Sequence, residues 1–147
     1  MKPTVRLAGA LLLAFLASTI TARAQVPYNQ GTVTRVVLLS ITPGHSDALF
    51  ADLKKNAVAL WEKEKSAGLI VDYSLFLNQT SSGPNDWDIG YALTYKNMAA
   101  LDGLPDKVYE LRMKQYGSKE GEQKVIEKRV ETAKVVTSSL LRGITLR

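Results

Sequence analysis

The chain contains no cysteine and a single histidine, His45. Without cysteine there is no disulfide and no cysteine-linked lipid. With one histidine and no thiolate, a zinc site of several soft ligands cannot be assembled within one subunit. Familiar reaction signatures are missing too. There is no G-x-S-x-G, no S-x-x-K and no phosphate-binding loop; Gly117-Ser118-Lys119-Glu120-Gly121 lacks the required order. Asp86-Trp87-Asp88-Ile89-Gly90 faintly resembles a calcium loop but has neither the third oxygen ligand nor the distal glutamate, so no metal is read there. No dense Lys/Arg run with interleaved aromatics occurs, which removes nucleic acid as an expected partner. No cofactor is called for.

What is present begins with a targeting pattern. Lys2 and Arg6 precede an almost wholly apolar run from Leu7 to Ile20, and Ala22 and Ala24 flank Arg23 in small-x-small form. This is the three-part pattern of a secretory signal peptide spanning residues 1–24, cleaved after Ala24. The alternative is an uncleaved anchor, but the apolar run falls short of the roughly 20 residues a spanning helix needs. The expected location is therefore the periplasm or the exterior, with no membrane attachment after cleavage. The net charge of +5 falls to +2 once Lys2, Arg6 and Arg23 are removed. About 120 residues remain, enough for one domain with a core that needs no disulfides.

Residues 25–32 read as a flexible polar leader and residues 33–147 as the domain. Val33 to Thr42 is rich in β-branched residues and predicts a strand, stopped by Pro43-Gly44. Leu49, Phe50, Leu53, Ala57, Leu60 and Trp61 recur at helical steps, predicting a helix over about Ser46 to Ser66. Ile70 to Asn78 and Trp87 to Tyr95 alternate as strands around the turn-rich Gln79 to Asp86, a hairpin with a long tip. Asn97 is placed to cap a short turn. Pro105-Asp106 opens a helix to Tyr116, Gly117 breaks it, and a wetter helix runs from Lys119 to Lys134 with a thin stripe of Ile126, Val130 and Ala133. Val135 to Leu146 is the last strand.

The order β-α-β-β-α-α-β is the split βαβ, ferredoxin-like α+β arrangement: a four-stranded antiparallel sheet with helices on one face. Val36, Val37, Leu38 and Leu39 put apolar side chains on both faces of the first strand. A sheet with one wet face does not look like that, so a second copy of the chain is expected to cover the other side.

The first strand leading into Pro43-Gly44-His45, the helix carrying Leu49, Phe50 and Leu53, the hairpin, and a third strand ending Ala92-Leu93-Thr94-Tyr95-Lys96 before Asn97-Met98-Ala99-Ala100-Leu101 are together similar to the dimeric α/β-barrel superfamily. That superfamily includes antibiotic-biosynthesis monooxygenase-like and stress-responsive barrel proteins, and the resemblance covers about residues 33–146. It implies two sheets facing each other across a homodimer, with a pocket between sheet and helices in each subunit. Its members include cofactor-free oxygenases, haem-degrading enzymes, isomerases and ligand-sensing modules. The Asn, Trp and His set of the haem-degrading members does not map onto this chain.

Candidate site residues come in three groups. His45 is either a general base or a solvated turn residue. Arg112 falls among Val108, Tyr109, Met113 and Tyr116; it either holds an anionic group or serves as a snorkelling or ion-paired side chain, with Glu64 the expected partner. Trp61, Tyr73, Trp87 and Tyr91 either line a pocket for a flat apolar molecule or simply form core. The functional expectation is a small-molecule binding module for an apolar or aromatic ligand. The alternatives are a cofactor-independent monooxygenase-like or isomerase-like enzyme, with His45 or Arg112 taking part, and a structural or interaction protein without pocket chemistry.

Overall fold

A computed structural model describes residues 26–80, 83 and 86–147. The signal-peptide reading of residues 1–24 and much of the hairpin tip lie outside the described residues. The chain runs through β1 (Tyr28–Ile41), α1 (Ser46–Asp52), a π-helical turn (Leu53–Val58), α2 (Ala59–Ser66), β2 (Asp72–Leu77), β3 (Ile89–Tyr95), a 3-10 turn (Met98–Leu101), α3 (Leu104–Tyr116), α4 (Lys119–Thr132) and β4 (Ala133–Leu146). The four strands lie in the order β2-β3-β1-β4, and every neighbouring pair is antiparallel. This is the ferredoxin-like α+β arrangement that the sequence predicts.

The register shows why the helices sit where they do. Val33, Val37 and Leu39 pair across β1 and β3 with Tyr95, Tyr91 and Ile89. Strand side chains alternate faces, so these partners share one side. On that side they join Leu49, Leu53, Ala57 and Trp61 in one buried cluster, which also takes in Ala133 at the start of β4. The opposite side carries Thr34, Val36, Leu38 and Ser40 from β1, facing Thr94, Ala92 and Gly90 of β3. Phe76 of β2 lies over Gly90, where a Cβ would collide with the Phe76 ring and stand 2.8 Å from Leu38. Trp87 meets Phe76 edge-on at 5.6 Å on this same side. The second face is thus apolar at its centre and studded with hydroxyls, and no described element covers it.

The long first helix is predicted as one continuous α-helix but is interrupted by the π turn. The Asn56 carbonyl accepts a hydrogen bond from Gln115 Nε2 of α3 at 2.8 Å, a side-chain insertion of the kind that accompanies helix irregularities. Leu49, Leu53, Ala57, Leu60 and Trp61 are all buried as their spacing implies, whereas Phe50 is 41% exposed.

Several boundaries differ from expectation: β2 begins at Asp72, and α4 ends at Thr132, so Ala133 and Lys134, read as helix, open β4. The leader assigned to residues 25–32 is strand from Tyr28, because Tyr28, Asn29 and Gln30 pair with Leu146, Thr145 and Ile144 of β4. The opposed glycines Gly31 and Gly143 sit close at a register irregularity in this ladder. Trp87 and Asp88 precede β3 rather than opening it: the Asp88 carboxylate accepts from the Ile41 amide at 2.6 Å, which ties the hairpin to the end of β1.

Adjacent residues of α1 give a direct test. Leu49 is fully buried, so Leu49→Ala should cost about 2–5 kcal/mol in urea unfolding. Phe50→Ala should cost well under half of that. Equal losses would contradict the packing described.

Candidate functional site

Two apolar depressions border the helix layer. One is a groove of about 570 Å³ beside the edge strand β2, where Phe50, Lys54 and Val58 face Leu75 and Leu77. It is shallow: Phe50, Leu75 and Leu77 are 41%, 41% and 51% exposed. The other is a cavity of about 200 Å³ between helices and sheet. The helix around the π turn supplies Leu53, Ala57, Leu60 and Trp61; the sheet supplies Leu39, Tyr91, Ala133 and Val135; α3 and α4 supply Tyr116, Ile126, Arg129 and Val130. Val130 and Val135 are largely exposed and mark its open side. Aromatic walls enclosing convergent polar groups are what small-molecule sites are made of, so the cavity is the stronger candidate.

Local structure holds α4 against this cavity. Gly117, in the left-handed conformation, ends α3, and Ser118 caps α4 by accepting from the Gly121 amide at 3.1 Å. Arg112 Nη1 of α3 pairs with Glu122 Oε1 of α4 at 3.0 Å. Arg129 Nε donates to Asp52 Oδ2 of α1 at 2.6 Å, and the other Asp52 oxygen accepts from Asn56 Nδ2 at 2.7 Å. At the far end, the Thr132 carbonyl accepts from the Thr42 amide at 2.9 Å, and the chain passes directly into β4.

The sequence-predicted residues scatter. Trp61 and Tyr91 line the cavity, with ring centroids 4.9 Å apart. Tyr73 also meets Trp61, with ring centroids 5.5 Å apart, while its hydroxyl is engaged by Glu62. Trp87 stands on the opposite face of the sheet with Phe76. His45 is exposed at the start of α1, its carbonyl accepting from the Leu49 amide at 2.9 Å. Arg112 takes Glu122 as its ion-pair partner rather than Glu64, although Glu64 lies within its field.

Arg129 and Asp52 escape sequence reading. Both sit inside apolar stripes, Asp52 between Leu49 and Leu53 and Arg129 between Ile126 and Val130, and that placement was the available signal.

The electrostatics follow from burial. Tyr91 is pushed above the ordinary phenol value of 10 by desolvation, a shift opposed by the positive charges of Arg129 and Arg35. Glu64 is 4% exposed, and desolvation raises its carboxyl above the usual 4.5 against the pull of Arg112. The folded protein therefore holds this proton more tightly than the unfolded chain does. The resulting stability is present below the unfolded value and lost as pH rises through the folded one. Glu64→Gln should accordingly raise the melting temperature at pH 7, and the gain should vanish below about pH 4.5. A pH-independent gain, or a loss at pH 7, would contradict this placement of the carboxylate.

No protein-family model matches the chain, and no curated protein sequence matches it. Solved structures are similar to it at low identity. HapK from Hahella chejuensis is 15% identical over 78% of this chain and 92% of its own, with a TM-score of 0.48. A dimeric ferredoxin-like protein from an uncultured marine organism is 14% identical over 81% and 98%, also at 0.48. A NIPSNAP family protein of unknown function from Agrobacterium tumefaciens is 10% identical over 81% and 90%, at 0.47. The fold assignment rests on the strand order and connectivity given above.

Proposed function

We propose that the protein is an exported small-molecule binding module that works as a homodimer and seats an apolar or aromatic ligand between its helices and its sheet. The observation that carries this reading is the cavity of about 200 Å³ walled by Trp61, Tyr91 and Tyr116. Its size lies below the roughly 300–1,000 Å³ of drug-sized pockets, so a ligand of one or two rings fits the space. Turnover has less support. His45 does not line the cavity, whose charged and phenolic side chains are Arg129, Tyr91 and Tyr116. A structural protein with a filled interior would have no use for such a space.

Thermal unfolding with a panel of one- and two-ring aromatic compounds tests the ligand reading. A bound compound at 100 times its Kd should raise the melting temperature by roughly 5 °C or more. Ala57→Leu, which fills the cavity from the buried helix face, should abolish that rise. No stabilisation by any compound, or stabilisation undiminished in Ala57→Leu, would overturn it.

Export rests on the pattern in residues 1–24, and dimerisation on the uncovered sheet face, where Val36, Leu38, Phe76 and Ala92 are only half-buried by their own neighbours and Leu141 is 53% exposed. An isolated apolar patch of this kind is ordinarily covered. Among the described residues, no helix is long and apolar enough to cross a membrane. Native mass spectrometry of a periplasmic extract should find a dimer of chains beginning at Gln25. A monomer, or a mass that includes residues 1–24, would contradict the corresponding half of the proposal.

A further inference from the structure

Arg129 has more hydrogen-bonding capacity than the protein uses. A guanidinium carries five N–H donors in a fixed fork. Among the described residues only Nε is engaged, by Asp52, and Nη2 is buried with no hydrogen-bond partner. Asp52, by contrast, is well satisfied, one oxygen taking Arg129 and the other Asn56. The imbalance leaves a cation short of acceptors on the wall of an otherwise apolar cavity. Its side chain retains 32% exposure through its other atoms, while Nη2 itself is buried, so a ligand reaches the guanidinium from the cavity side. The Tyr91 hydroxyl makes no hydrogen bond among the described residues and lies within the fields of both Arg129 and Arg35.

We infer that the cavity selects a small aromatic or apolar carboxylic acid, with Arg129 as the residue that binds the carboxylate and determines specificity. This rests on the cavity being a ligand site at all. Planar guanidinium and planar carboxylate match geometrically, and such charge-assisted bonds are about twice as strong as neutral ones. A monoanion suits the site better than a phosphate, because the lining offers one cation and two phenols rather than a cluster of donors. The rest of the ligand packs against Trp61 and Tyr91, whose rings are tilted at 37° to each other on the cavity wall.

Matched pairs test the inference: benzoate against benzamide and 1-naphthoate against 1-naphthamide, with naphthalene as an uncharged control, measured by calorimetry on the full mature chain. The acid should bind at least about tenfold more tightly than its amide. In Arg129→Gln that ratio should fall to near one through loss of acid affinity, with amide affinity kept within about threefold, and Arg129→Lys should recover part of the preference. Because Arg129→Gln leaves Asp52 without its cation, Asp52→Asn/Arg129→Gln repeats the measurement if the single variant fails to fold. Equal binding of acid and amide in the parent protein, or a preference that survives loss of Arg129, overturns the inference. Binding of naphthalene with no acid preference overturns it while leaving the ligand site standing. Failure of every compound to bind overturns both.

Discussion

The buried seam between the first helical connection and the centre of the sheet is the constraint on which the remaining structure depends. Leu49, Leu53, Ala57 and Trp61 lie on Val33, Val37, Leu39, Ile89 and Leu93, and these are among the least exposed side chains of the chain. Burial of this kind is worth roughly 1.5–3 kcal/mol per large side chain, more than the surface ion pair Lys65–Asp72 supplies. The seam is tight near Leu49 and loosens toward Ala57 and Trp61. There a small side chain on the helix and an aromatic one on the strand leave a void that α4 only partly closes. The cavity is therefore a consequence of where bulk is missing from a packed layer.

Charge then fixes the closing helix. α4 is too polar to be held by its apolar stripe alone, since Ile126 and Val130 remain 41% and 66% exposed. Two ion pairs compensate, Arg112–Glu122 to α3 and Arg129–Asp52 to α1. Each also leaves a buried guanidinium nitrogen without a partner among the described residues, Nε of Arg112 and Nη2 of Arg129. Orphaned donors in a folded interior are costly and uncommon. The first lies beside the protonation-prone Glu64. The second belongs to a residue of the cavity wall.

Much of the fold was legible because it follows from period. The alternation of β3 from Ile89 to Tyr95 and the helical stripe from Leu49 to Trp61 both specify one buried face, and both are realised except at Phe50, which is 41% exposed. The N-terminal part of β1 was not legible: Tyr28 to Thr32 is polar and becomes strand only through pairing with β4, more than a hundred residues away. The π turn was equally invisible: the Gln115 side chain that bonds its Asn56 carbonyl comes from another helix. At the site, Trp61 and Tyr91 could be named as candidates from spacing, but not sorted from Trp87, because which face Trp87 takes depends on where β3 begins. Arg112 drew attention as a charge in an apolar face, yet the same reasoning applies to Arg129, whose weaker stripe hid it.

The two tryptophans report on opposite sides of the sheet, Trp61 in the cavity and Trp87 beside Phe76 on the uncovered face. The central claim, that the helix–sheet cavity is where ligand binds, is thus most directly tested by following their two indole N–H resonances while titrating 1-naphthoate. The Trp61 signal should shift saturably with Trp87 unmoved. A shift confined to Trp87, or no saturable shift of either, would contradict that claim.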